Sequence, residues 1–271
     1  MDQVRRVLLE KEEDITALYS ALEGWLFRGH ASSEWSLTST IERTCNTYGV
    51  KSDRIAERER NSLFEFQRRA HHYIEEQPDS TDLLEWAALL QHYGGPTRLV
   101  DVTHSLFVAA FFAVENATED AVVWAFNAGR ITPLSEPEGP RKLDSTGIKE
   151  ANSILWGEKT ESGVRLVKPF RLNRRLANQQ GAFMMPLSLK EPFESQVASQ
   201  LDISINNFKD ITVKNSLVET SACQAVKIIV PRDIQSRLLR LLSAANVSAT
   251  TLFGGLDGFA RSLKIGFRAF E

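Results

Sequence analysis

The sequence predicts a single α+β domain, a mixed or antiparallel sheet flanked by helices. Three observations lead there. Helical periodicity dominates the first third, short apolar runs such as "AVKIIVP" dominate the rest, and no linker or repeat divides them. At 271 residues the chain is long enough to bury a sizeable core.

Taken in order, "DQVRRVLLEKEEDITALYSALEG" places Val4, Leu8, Ile15, Leu18 and Leu22 at near-helical spacing, so residues 1–24 read as an N-terminal helix stopped by Gly24. "WLFRGH" reads as a short buried strand. "SDRIAERERNSLFEFQRRAHHYIEEQ" reads as an amphipathic helix capped by Ser52 or Asp53 and ended by Pro78. "STDLLEWAALLQHYGG" restarts a helix that Gly94 stops. "PTRLVDV" is a strand, and Thr103 is placed to cap the apolar helix "HSLFVAAFFAVENA". Further on, "AVVWAFN", "GVRLVKPF", "GAFMMP" and "AVKIIVP" read as strands, with residues 131–149 as a mobile loop. "RDIQSRLLRLLSAANV" and a helix after Gly254-Gly255 close the chain.

Composition narrows the function classes. An apolar fraction of 42% and a charged fraction of 25% are those of a globular protein, and the net charge of -3 leaves nucleic-acid contact to a local patch. Cys45 and Cys223 have no metal-type spacing. No apolar run reaches spanning length and the N-terminus is unlike a signal peptide, so a reduced, cytoplasmic protein without a membrane partner is expected. Phosphate-loop, dinucleotide-fingerprint and hydrolase-elbow motifs are all missing. Adjacent His71 and His72 do not share a helix face as metal ligands would.

Three polar clusters remain. In Phe27-Arg28-Gly29 an arginine sits at a strand end, before a glycine that would let a ligand approach the backbone. That suits an anion, or else a salt bridge to a neighbouring helix. "QHYGGPTRLVDVT" gathers His92, Tyr93, Gly94, Thr97, Arg98, Asp101 and Thr103, either lining a pocket or capping a junction, with Arg98 and Asp101 able to pair. Gln179 and Gln180 precede a strand, where their amides would hold sugar hydroxyls or close a turn. "TLFGGLDGFA" reads as structural, with Asp257 as a helix cap.

Phe27-Arg28-Gly29 with "SLTSTIER", then "QHYGGPTRLVDVTHSLFVAAFFA", "RLANQQGAF" and "TLFGGLDGFARSL", resemble in order the motifs of the bacterial FRG-domain family, from about Trp25 to Leu263. The middle motif departs from the usual Leu-Asp-Trp-Thr at Val100 and Val102, and Gly254-Gly255 replace a Pro-Asp. The family resemblance implies a toxin or anti-phage module. A weaker resemblance to ADP-ribosyltransferases implies their fold and NAD as substrate, with no metal called for. On that resemblance Arg28 and Gly29 hold NAD with His92, Tyr93, Gly94, Thr97, Arg98 and Thr103. Gln179 and Gln180 stand where a catalytic glutamate is usual, leaving Asp101, Glu191 or Glu194 to supply the charge. The acceptor would be a macromolecule, RNA ahead of protein, and a neutralising antitoxin would contact the apolar face of the N-terminal helix. The rival expectation is a non-catalytic module that senses a nucleotide or a phage component.

Overall fold

The computed structural model describes residues 1–134, 145–159, 161–169 and 174–269. Eight strands form one mixed sheet in the order β5-β6-β3-β2-β4-β8-β1-β7. They are β1 (Asp2–Leu8), β2 (Leu26–His30), β3 (Val100–Thr103), β4 (Ala121–Phe126), β5 (Val164–Val167), β6 (Gly181–Pro186), β7 (Ile203–Ile211) and β8 (Ala225–Val230). β1 runs parallel to β7 and β8, and every other pairing is antiparallel.

Alternation along the strands sends side chains into separate cores. One face of β2, β4 and β8 packs Phe27, Val123 and Ile228 against α1 (Asp14–Ala21), α5 (Leu106–Val114) and α10 (Arg232–Ala244). The other face carries Leu26, Val122, Trp124 and Phe126. It curls around α8 (Phe193–Leu201), which touches both edge strands, β5 and β7. A further core lies where α3 (Ile55–Ala70), α4 (Leu83–His92) and α6 (Ser145–Trp156) cover Phe183 and Met185 of β6. Shorter helices are α2 (Thr40–Thr47), α7 (Arg174–Asn178), α9 (Ser216–Thr220) and α11 (Ala249–Phe253), and α12 (Gly255–Ala269) closes the chain. Among the described residues no helix is long and apolar enough to cross a membrane.

Several expectations are corrected. Residues 1–24 are not one helix: β1 occupies Asp2–Leu8 and only α1 is helical. Val4 and Leu8 are four apart, a spacing that a helix face and one side of a strand share, and on β1 Val4 is buried while Leu8 is exposed. Ile15, Leu18 and Leu22 are buried in the chain's own core, so they offer no apolar face to an antitoxin. α3 ends at Ala70, well before Pro78, because Tyr73 N bonds Ala70 O and His72 N bonds Arg69 O in tight turns. Its N-cap is Arg54 rather than Ser52 or Asp53, which lie in a preceding single turn of 3₁₀-helix. The cap of α5 is Ser105, whose hydroxyl accepts from Val108 N; Thr103 instead accepts from Ser105 N. Of the expected loop at 131–149, residues 135–144 lie outside the described residues and 145–149 open α6. β7 was not anticipated.

Candidate functional site

β2 and β3 meet through a single registered pair, Phe27 with Thr103. Beyond it β2 continues along β4 while β3 continues along β6. The sheet therefore splits, and a cavity of about 810 Å³ opens where the strands part. On the parting edge the Asp101 carbonyl, without a β2 partner, accepts from the Arg28 guanidinium instead.

Arg28 projects from β2 into this crevice. Its Nε donates to His30 Nε2 at 2.9 Å and its NH1 to Asp101 O at 2.6 Å, leaving three of five N–H donors for a ligand. Burial, partly offset by Asp101, lowers the guanidinium pKa to about 10, so it stays charged at neutral pH. Burial and then the adjacent Arg28 push His30 down to about 3. His30 is thus neutral, which is what lets its ring nitrogen accept from Arg28.

The opposite wall comes from β3, α5, α7 and α12. The Asp101 carboxylate accepts from Gln91 Nε2 at 2.9 Å and lies in the field of Arg28 and Arg175. Thr103 donates to Gln179 O at 2.7 Å, tying the crevice floor to the turn before β6. Glu115, buried at the end of α5, is held by both arms of Arg261. Arg175 and Arg261 stack on the Phe253 ring, at 4.6 and 3.9 Å from its centroid. With Arg43 the lining holds four arginines against the carboxylates of Glu34, Asp101 and Glu115. Arg261 and Glu115 cancel, which leaves a net positive cavity suited to a phosphate-bearing ligand.

The crevice thus collects Arg28, Gly29, Asp101, Thr103 and Gln179 of the expected residues. The others lie elsewhere. Arg98 is 1% exposed, outside the crevice lining: its Nε donates to Glu59 Oε2 at 2.7 Å and its NH1 to Ile154 O at 2.8 Å, so it pairs with Glu59 and not with Asp101. Thr97 is buried and donates to Gln91 Oε1 at 2.6 Å, acting on Asp101 only through that amide. Tyr93 is 63% exposed on a separate groove with Phe66 and Tyr73. His92, half-buried and outside the lining, is pushed down by burial and by Arg175. Gly94, with φ +82°, stops α4 and lines nothing. Gln180, at φ +48°, turns the chain into β6 with its side chain in solvent. Glu191 and Glu194 also lie outside the lining; Glu194 accepts from Leu37 N at 3.1 Å.

Gly29 lines the cavity for a different reason from the one expected. A Cβ there would stand 2.1 Å from Ala109 O and 2.6 Å from Ala113 N, so the glycine lets α5 approach β2. Glu115, Arg175, Arg261 and Gln91 were missed. A lone acid closing the apolar run "LFVAAFFAV" was the available signal for Glu115. The stretch "TLFGGLDGFA" reads as structural, and Arg261 directly after it reaches the cavity wall. Residues 23–121 match the FRG domain family model. No curated protein and no solved structure matches the chain.

Proposed function

Given that the chain carries an FRG domain over residues 23–121, we propose that the crevice binds NAD and transfers ADP-ribose to a macromolecule, as a toxin of a phage-defence module. The supporting observation is the convergence of Arg28, Arg43 and Arg175 with the Asp101 carboxylate around a cavity of about 810 Å³, within the range that holds nucleotides.

On this reading Arg28 and Arg175 take the pyrophosphate, using the donors that the fold leaves unspent. The bond between nicotinamide and ribose C1′ breaks, and its electron pair leaves with neutral nicotinamide. Asp101 faces the cation developing on the sugar and supplies the charge that Gln179 lacks. An acceptor nucleophile then bonds to C1′ and gives up its proton to a carboxylate or to water. Gln91 and Thr97 hold Asp101 in place, so their role is positioning.

A second reading, a nucleotide-sensing module without chemistry, is favoured by the amide of Gln179 at the place of an acid. One experiment separates the two. Labelled NAD is incubated with the protein and a cell lysate, which is then divided into protein, RNA and DNA fractions. The transferase reading expects label in one fraction, reduced at least a hundredfold by Asp101→Asn. Nicotinamide release at background in the wild type, with NAD still bound, would replace it by the sensing module.

A further inference from the structure

A row of side chains runs across the sheet from the crevice. Arg28 on β2 pairs in register with Trp124 on β4, Trp124 with Lys227 on β8, and Lys227 with Arg6 on β1. Registered neighbours share a face, so the four make a ladder that spans roughly 14 Å at about 4.8 Å per strand. Glu34 lines both the crevice and a second cleft that holds Lys227, Arg6, Asp210 and Ile229, so it stands between the two.

The ladder is poorly explained by folding alone. Cations directly opposite on neighbouring strands repel, and Lys227 faces Arg6. Asp210 satisfies Arg6 through bonds of 2.6 and 3.0 Å. Lys227 has no such partner among the described residues. Its ammonium lies 5.5 Å from the Trp124 ring centroid and 5.1 Å from that of Phe208, and Glu34 and Glu194 act on it only at longer range. The buried Nε1 of Trp124 also lacks a partner, and Trp35, beside Glu34 at the crevice mouth, is 58% exposed.

We propose that this ladder is the acceptor track: a single-stranded nucleic acid lays its phosphodiester backbone over Lys227 towards Arg6 and stacks a base on Trp35. Lys227, half-buried and without a salt bridge among the described residues, fits a phosphate, and the exposed Trp35 next to Glu34 in the chain fits a base face. The assignment rests on the crevice being the transferase site.

The test uses the full chain and a fluorescein-labelled 12-nucleotide single-stranded RNA, with anisotropy read at 50 and 200 mM salt. Lys227→Gln should weaken binding about tenfold at the lower salt and flatten the salt dependence by about 0.7 of a log unit per log unit. Trp35→Ala should weaken it about tenfold with the salt slope unchanged. Wild-type affinity in both variants, or no RNA binding at 50 mM salt, would overturn the track. RNA binding that needs Lys227 in a protein that releases no nicotinamide would uphold the track as a binding surface and overturn the transferase reading alone.

Discussion

Arg28 and Arg98 are both arginines beside short strands, in neighbouring motifs, with opposite fates. Arg98 meets the Glu59 carboxylate from α3 as an ion pair, with NH2 2.6 Å from Oε2, and is closed over completely. Arg28 meets a neutral imidazole and one backbone carbonyl, in a cavity, with no carboxylate in contact. An arginine given its own counter-ion is a structural tie; one denied it is available to an anionic ligand.

Removing the tie should have the largest effect on stability. Arg98→Ala strands the Glu59 carboxylate in the core, so denaturant unfolding should show a loss of about 3–5 kcal/mol. The double replacement Arg98→Met with Glu59→Leu should recover much of that loss. Gly29→Ala should come next, at about 3 kcal/mol, because the new methyl group meets the α5 backbone rather than a flexible side chain. A Gly29→Ala protein of wild-type stability would mean that α5 does not need the glycine.

His30 sharpens the comparison through pH. Its pKa is about 3 folded against an ordinary 6.5, so the unfolded chain binds the proton more readily. Its contribution to stability is complete above pH 6.5 and is lost as pH falls from there towards 3. His30→Gln, which keeps an acceptor for Arg28, should flatten the stability profile between pH 7 and 4; an unchanged profile would show that His30 titrates normally. Tyr93→Ala should have the smallest effect, within about 0.5 kcal/mol in stability and without change in nucleotide binding.

Much of the fold was legible where one period ruled. α4, α5 and α10 follow from their apolar spacing, and β2, β4 and β8 from short apolar runs. β1 was hidden because Val4 and Leu8, on one side of the strand, stand at a spacing that a helix shares, and its register with β7 shifts between Gln3 and Val4. β7 was hidden because it is an edge strand, whose polar "INNFKD" shows no alternation. In the site, Arg28, Asp101 and Thr103, singled out mainly through the family resemblance, line the crevice. Glu115 and Arg261 were not legible, because a pair 146 residues apart is made only by docking α12 against α5. Arg98 was misread because its partner Glu59 lies on a helix whose charge pattern resembles any solvated face.

Equilibrium binding of NAD by titration calorimetry, on wild type, Arg28→Ala and Tyr93→Ala, tests the central contrast most directly. The crevice account predicts that Arg28→Ala loses at least tenfold in affinity while its melting temperature stays within about 2 °C of wild type, and that Tyr93→Ala binds as wild type does. Undiminished binding by Arg28→Ala, or a loss confined to Tyr93→Ala, would contradict it and move the nucleotide out of the split between β2 and β3.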